Sequence, residues 1–465
     1  MKKTLVYIDL FSGAGGLSEG FRQAGFTHGY SVDNDRWAMN TLRMRLAYWI
    51  MYQQNSVTNY SNYVKAAEKQ FQFEDLDLKE SFMTGIMSST SEKVISDKTL
   101  DIHLRNIRKK IKANNVSASV ILGGPPCQAY SQIGRSRMRQ TSNPSKDLQR
   151  IKLNRSDHRH HLYELYIKII QSVKPKCFVY ENVPGLITAV SEKGRIIELM
   201  QEDFKSIKPP YRLVPVEKSS QVKMFNNSFT LRDCIVNAAD YGVPQNRKRI
   251  IIIGIREDLI DKDDNVINKL WEKISESKSS SKISVGKAIG DLAGINADSG
   301  VPTFIKNGYR PGRPNEYQKE MRGELLNGVI NHQARPHMES DLQRYKWYAK
   351  WCDKHGKNPT LGDLPEKLQP DHKNLGSFID RFKVQLKNKP ASTIAAHIGK
   401  DGHYYIHYDE KQNRSLTVRE AARLQSFPDD YAFCGPRTHQ FKMIGNAVPP
   451  KLSHAIATGI KDILS

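Results

Sequence analysis

Short apolar runs recur along this chain, most of them closing on a glycine or an acidic residue: Leu5 to Leu10, Tyr30 to Asp33, Val120 to Gly123, Phe178 to Glu181 and Ile250 to Ile255. Such runs, without polar alternation, suit strands covered on both faces, the environment of a parallel sheet between helices. Helical patterns lie between them. The clearest opens at Ser156 as an N-cap and repeats Leu162, Leu165, Ile169, Ile170 and Val173 at three- and four-residue spacing before Pro175. Strand alternating with helix predicts an α/β, doubly wound architecture for the first half.

A chain of 465 residues is too long for one ordinary core. Residues 47–96, rich in Tyr, Gln, Asn, Ser and Lys, separate two strands by more than a crossover needs and read as an insertion. After Arg256 the composition changes to Asp261-Lys262-Asp263-Asp264 and then Ser275 to Ser281, a solvated, flexible link. A second, smaller domain is expected to begin near Ile283, basic and aromatic to about Asn413, with no clear periodicity. Thr417-Val418-Arg419-Glu420 is a capping box opening a helix that Pro428 stops. The chain closes with Gly445 to Pro450 and a tail repeating Leu452, Ile456, Ile460 and Ile463.

Lysine and arginine number 71 against 49 acidic residues, a net charge of +22, the footprint of a protein that handles a polyanion. Five cysteines are scattered and lack metal-ligand spacing, which fits a reducing, cytoplasmic setting and no metal. No apolar stretch reaches membrane-crossing length. Two histidine groups, His158, His160 and His161, and His332 and His337, lack zinc spacing and are expected at the surface or facing nucleic acid.

Asp9-Leu10-Phe11-Ser12-Gly13-Ala14-Gly15-Gly16-Leu17 runs from a strand through a glycine-rich turn into a helix, the layout that brings a nucleotide-like ligand close to backbone. Asp33 ends the next strand, where a carboxylate can accept ribose hydroxyls. Gly123-Gly124-Pro125-Pro126-Cys127-Gln128 puts a cysteine on a stiff turn beyond a strand's carboxyl end. Glu181 holds the equivalent place on the following strand. Alternation in Gln245-Asn246-Arg247-Lys248-Arg249 puts Gln245, Arg247 and Arg249 on one face.

Together these segments, with Arg414 to Pro428 and Gly445-Asn446-Ala447-Val448-Pro449-Pro450, resemble the cytosine carbon-5 DNA methyltransferase family in its own motif order. The resemblance implies a Rossmann-like, S-adenosylmethionine-dependent domain over 1–256, a target-recognition domain over 257–413 and a return to the catalytic domain over 414–465. It makes Cys127 the nucleophile that adds to carbon 6 of a flipped-out cytosine in double-stranded DNA. Glu181 would hold the N3 edge, and Arg247 and Arg249 the base oxygen and adjacent phosphate. Asp9, Phe11, Gly13, Ala14, Gly15, Gly16, Leu17, Asp33, Pro125 and Asn446 would line the cofactor pocket. An aspartate is also expected at the adenine amine, Asp97 in preference to Asp101. Gln128, Ser131, Arg135, Arg137 and Gln245 would face DNA, the arginines on a mobile loop.

Tyr130 stands where the family commonly has Phe, a departure that touches nothing catalytic. Two other readings remain: the tRNA-methylating branch of the same family, whose Cys-Phe-Thr stretch this chain lacks, and a silent DNA-binding scaffold, against which Cys127, Glu181 and Asn446 argue. The resemblance further implies a bacterial modification enzyme acting as a monomer, with a cognate restriction endonuclease acting separately. The target sequence is not legible from the residues.

Overall fold

The computed structural model describes residues 4–54, 78–113, 119–126, 158–188, 190–191, 194–195, 202–204, 206–218, 232–322, 328–369 and 381–465, with Tyr63, Phe73 and Leu76 besides. Its centre is a sheet ordered β3-β2-β1-β4-β5-β11-β8, with β9 also on β11. The strands are β1 (Val6–Leu10), β2 (Thr27–Val32), β3 (Thr90–Ser91), β4 (Val120–Gly123), β5 (Cys177–Asn182), β8 (Tyr211–Pro215), β9 (Ile235–Asn237) and β11 (Lys248–Arg256). A small hairpin, β6 (Val190–Ser191) with β7 (Gly194–Arg195), and β10 (Gln245–Asn246) lie outside it.

Strands β3, β2, β1, β4 and β5 are parallel. The winding reverses between β1 and β4, which opens a crevice beyond their carboxyl ends, where ligands bind in such sheets. The run Ile250 to Ile255 is antiparallel to both β5 and β8, not parallel as its composition suggested. An apolar run reports cover on both faces and says nothing of direction.

Alternate strand residues feed two cores. Tyr7, Leu122, Val179 and Ile251 face one layer, and Ile8, Ile121, Phe178 and Ile250 face the other. The first layer holds helix α1 (Gly16–Gln23) and the second holds α4 (Asp97–Ala113) and α5 (His158–Val173). Two earlier helices, α2 (Arg36–Gln54) and α3 (Glu80–Ser89), belong to the stretch read as an insertion or flank it. That stretch is built in at both ends: α2 runs seamlessly past residue 47, β3 forms the sheet edge, and the Tyr63 hydroxyl donates to Asp430 O at 3.0 Å. Polar composition between these anchors hid them.

The supposed flexible link contains helix α6 (Asn265–Glu276), which buries Ile267, Leu270, Trp271 and Ile274 in the first layer. Those positions follow a helical period that the Asp- and Ser-rich flanks masked. Beyond it come α7 (Val285–Ile289), an antiparallel pair β12 (Gly300–Lys306) and β13 (Gly328–Gln333), α8 (Glu316–Arg322), α9 (Glu339–His355) and β14 (Ala391–Ser392). The aromatic residues here build a core of their own: Tyr345 and Tyr348 are buried with Phe382 and Ile406. His332 is buried too, between Thr417 Oγ1 at 3.0 Å and Ala293 O at 2.9 Å, and His337 lies 3.0 Å from Ser415 Oγ. Both were expected at the surface or facing nucleic acid; His332 is instead buried and His337 half-buried, each held by partners remote in sequence.

The chain ends in α10 (Val418–Leu424), α11 (Arg437–Asn446) and α12 (Pro450–Leu464). The capping box forms as read: Thr417 Oγ1 accepts the Glu420 amide at 3.1 Å and the Glu420 carboxylate accepts the Thr417 amide at 2.8 Å. Helix α12 buries Leu452, Ile456 and Ile460 in the first layer beside α1 and α6. A Cβ on Gly20 of α1 would lie 2.4 Å from His454 N, so a glycine there permits the close approach. The last residues thus complete the core that the first residues begin.

Candidate active site

After β1 the backbone turns through left-handed conformations at Phe11 (φ 59°), Gly13 (φ 53°) and Gly15 (φ 83°). Phe11 bears a Cβ, so its geometry is held against a local cost, as is common where a backbone is shaped for a ligand. The loop is packed on one side and open on the other. A Cβ on Gly16 would lie 2.2 Å from Val448 O and one on Gly15 2.6 Å from Leu42 Cδ1, yet one on Gly13 would meet nothing within 4 Å. Ala14 is buried, its carbonyl accepting the Tyr431 hydroxyl, and Leu17 O accepts Ser453 Oγ at 2.7 Å.

Asp33 closes this loop. Its Oδ2 accepts the Gly13 amide at 2.8 Å and its Oδ1 the Asp35 amide at 2.9 Å, which leaves each oxygen further lone-pair capacity. Burial foremost raises its carboxyl above the usual range. Asp9 lies beneath, with Oδ2 accepting Ser18 Oγ at 2.6 Å and Oδ1 buried without a hydrogen bond among the described residues. Burial pushes its carboxyl up to about 7. Asn446 ends α11 with its side chain exposed, one residue from the Ala447-Val448 segment that meets Gly16.

Asp97 is not brought to this pocket. It is exposed in the first turn of α4 and pairs with Lys168 of α5 at 3.2 Å. The position beside Asp33 on the neighbouring strand is Ser91, whose carbonyl accepts the Asp33 amide at 3.1 Å, followed by Glu92 on Arg43 at 2.5 Å. A two-residue strand carries no periodicity, and only its pairing with β2 discloses it. Asp101, the alternative, is an exposed residue of the same helix.

The second half of the crevice joins the ends of β4 and β5. A Cβ on Gly124 would lie 2.8 Å from Glu181 Oε2, so the turn after β4 presses directly on that carboxylate. Pro125 O accepts Asn182 Nδ2 at 3.4 Å and ties the same turn to β5. Cys127, Gln128, Ser131, Arg135 and Arg137 lie outside the described residues, as do Tyr130 and Ser156. Glu181 forms an ion pair with Arg249, Nε to Oε1 at 3.0 Å. Burial outweighs the nearby Arg249 and Arg247 charges and raises the Glu181 carboxyl.

Of Gln245, Arg247 and Arg249, Arg249 pairs with Glu181 in the crevice, whereas the other two are buried against other segments. Arg247 is fully buried and donates to Ile394 O at 2.7 Å and Gly445 O at 3.0 Å. Gln245 is equally buried: its amide nitrogen donates to Leu424 O and Gln425 Oε1, both at 2.9 Å, and its oxygen accepts the Ile394 amide at 2.6 Å. These contacts correct the expectation that Arg247 touches the base and Gln245 touches DNA. Both pin β10 and its partner β14 to the C-terminal helices. Polar residues in a charged motif look exposed in sequence, and partners more than a hundred residues away are invisible there.

A doubly wound sheet with a left-handed glycine loop and the Asp33 carboxylate at its switch point is the Rossmann-like architecture that S-adenosylmethionine-dependent methyltransferases share. The family model for C-5 cytosine-specific DNA methylase matches residues 5–78 and 89–462, and the chain belongs to that family. It is 34% identical to Type II methyltransferase M.Bpa9945I of Bacillus paralicheniformis over 99% of both proteins. It is 26% identical to DNA (cytosine-5-)-methyltransferase M.ApeKI of Aeropyrum pernix, covering 76% of this chain and 82% of that protein. Among solved structures, a prophage-encoded putative DNA modification methyltransferase of E. coli shares the fold, with TM-score 0.61, 22% identity and 99% of each chain covered. The family's cofactor is S-adenosylmethionine, and the open side of Gly13 with the unfilled lone pairs of Asp33 fits its methionine and ribose portions.

Proposed function

We propose that this chain methylates carbon 5 of a flipped-out cytosine in a specific duplex DNA sequence, with Cys127 as nucleophile. The observation that carries the reading is the contact of Gly124 with Glu181, which sets the start of the Pro-Pro-Cys turn against a raised-pKa carboxyl in the crevice. S-adenosylmethionine supplies the methyl group when bound, held by Phe11, the 13–17 backbone, Asp9, Asp33, Pro125 and Asn446.

The remaining chemistry belongs to the protein. A pyrimidine carbon 5 is a poor nucleophile, and addition of the Cys127 thiolate to carbon 6 makes it enamine-like. Once carbon 5 carries the methyl group, a base removes its proton and the Cys127 thiolate leaves carbon 6 as the ring double bond re-forms. Glu181, whose carboxyl is raised above its ordinary range by burial, supplies a proton to N3 as negative charge builds there. Arg249 stands beside it to hold the base oxygen. Arg247 and Gln245 act as positioning residues for this wall. The ring faces are inaccessible in a stacked duplex, so the base must leave the helix, with Gln128, Ser131, Arg135 and Arg137 closing on the DNA.

The region from α7 to about Asn413 reads the target sequence. The type II names of its relatives support a restriction-modification role; on this reading the enzyme acts as a monomer in the cytoplasm, beside a separate endonuclease. Bisulfite sequencing of DNA from cells expressing the chain identifies the modified site. Oligonucleotides carrying 5-fluorocytosine there become covalently trapped, and Cys127→Ala abolishes turnover while retaining cofactor binding. Turnover by that variant comparable to the parent overturns the mechanism.

A further inference from the structure

Helix α4 exposes a face of one sign. Arg105, Arg108, Lys109 and Lys112 are exposed on successive turns while Leu104 and Ile107 enter the second core layer. Lys174, exposed just after α5, extends the face, because Arg108 donates to Ser172 Oγ near the end of α5 at 2.6 Å. Among the described residues no ion pair involves any of these five, in contrast to Lys168, which pairs with Asp97. Lys110 is turned away and donates to Ser88 Oγ at 2.8 Å. The helix's own carboxylates, Asp97 and Asp101, lie in its N-terminal part.

This face lies far from the crevice. Ser172 precedes β5, whose first residue is Cys177, while Glu181 sits at the opposite end of that strand. The length of β5 puts the two edges roughly 17 Å apart. A duplex seated over the carboxyl ends of the strands therefore leaves the α4 face free.

We propose that the exposed face of α4 binds a second segment of duplex DNA, so that the enzyme seated on one segment holds another at the opposite edge of its sheet. The proposal rests on the DNA-methylating reading of the crevice. Its chemistry is phosphate neutralisation, independent of base sequence, with a salt exponent of roughly 4 for four or five contacts.

The test uses the full-length protein bound to an immobilised 30-base-pair duplex and measures capture of a second, labelled duplex across a salt series. The R105Q/R108Q/K109Q/K112Q variant is expected to retain the first duplex and lose at least tenfold of the second. The charge-preserving R105K/R108K/K109R/K112R variant is expected to capture both. Equal capture by the glutamine variant overturns the proposal. So does loss of the first duplex, which would put α4 on the main DNA path or reveal a structural role. Methylation of a short duplex by the same preparations reports the crevice separately, so failure of one reading is distinguishable from failure of the other.

Discussion

Replacing Arg247 by alanine separates a wall-building arginine from a catalytic one. The guanidinium is fully buried and donates to two carbonyls, Ile394 O and Gly445 O, on segments remote in sequence from it and from each other. Removing it leaves both oxygens buried without that donor, at about 1–3 kcal/mol each, so roughly 2–6 kcal/mol before any cavity term. Arg247→Lys is expected to recover part of this, since one ammonium cannot reproduce a two-pronged fork. Arg249→Ala removes the pairing cation of a largely buried Glu181, whose carboxyl is already pushed towards its neutral form by burial, so it is expected to cost less stability than Arg247→Ala while slowing methylation. Denaturant unfolding of the three variants, run beside single-turnover methylation, checks the split. Arg247→Ala that unfolds within about 0.5 kcal/mol of the parent and yet loses activity as Arg249→Ala does would refute the assignment.

Glu181 gives a pH prediction. Its folded pKa is raised, so the folded state binds the proton more tightly than the unfolded one, and stability falls as pH rises from the ordinary carboxyl value to the folded one. Single-turnover activity that needs the protonated form falls with it, and Arg249→Gln, which removes a lowering charge, shifts that fall to higher pH; a downward shift contradicts the scheme. Asp97→Asn leaves S-adenosylmethionine affinity within about twofold by calorimetry, because Asp97 is exposed in the first turn of α4, where it pairs with Lys168, and a tenfold loss would restore the adenine role. Glu420→Gln strands the buried Arg414, which donates to both Glu420 oxygens at 2.7 Å, and is expected to cost about 3–5 kcal/mol in thermal unfolding. The Glu420 carboxyl is held well below its ordinary range by the Arg414 and His407 charges against the cost of burial, so its contribution persists above the ordinary carboxyl pKa and is lost only as pH falls through the folded value.

What could be read from the residues follows the range of the interactions involved. The capping box was legible because its two hydrogen bonds span three residues. Strands β1, β4 and β5 were legible because cover on both faces leaves an apolar run. The direction of β11, the role of β3 and the packing of α6 depend on partners elsewhere in the chain, and the residues alone carried no such signal for the first two. At the site, Asp33 and Glu181 were placed by strand ends, whereas Arg247 and Gln245 were assigned by motif and proved to face inward.

The same distinction changes how the net charge of +22 should be used. Arg247, Arg414, Arg419 and Arg423 are among the largest fully buried side chains. Arg419 donates to Ile330 O, Pro428 O and Tyr431 O, and Arg423 to Asp291 and Asp429, so these cations bind the C-terminal motifs to their surroundings. A count of basic residues alone credits them to the DNA-binding surface, although Glu420, Asp291 and Asp429 already offset three of these four charges in the net value. Nucleic acid meets only the outward remainder, which makes an unpaired face such as that of α4 more informative about DNA contact than the total.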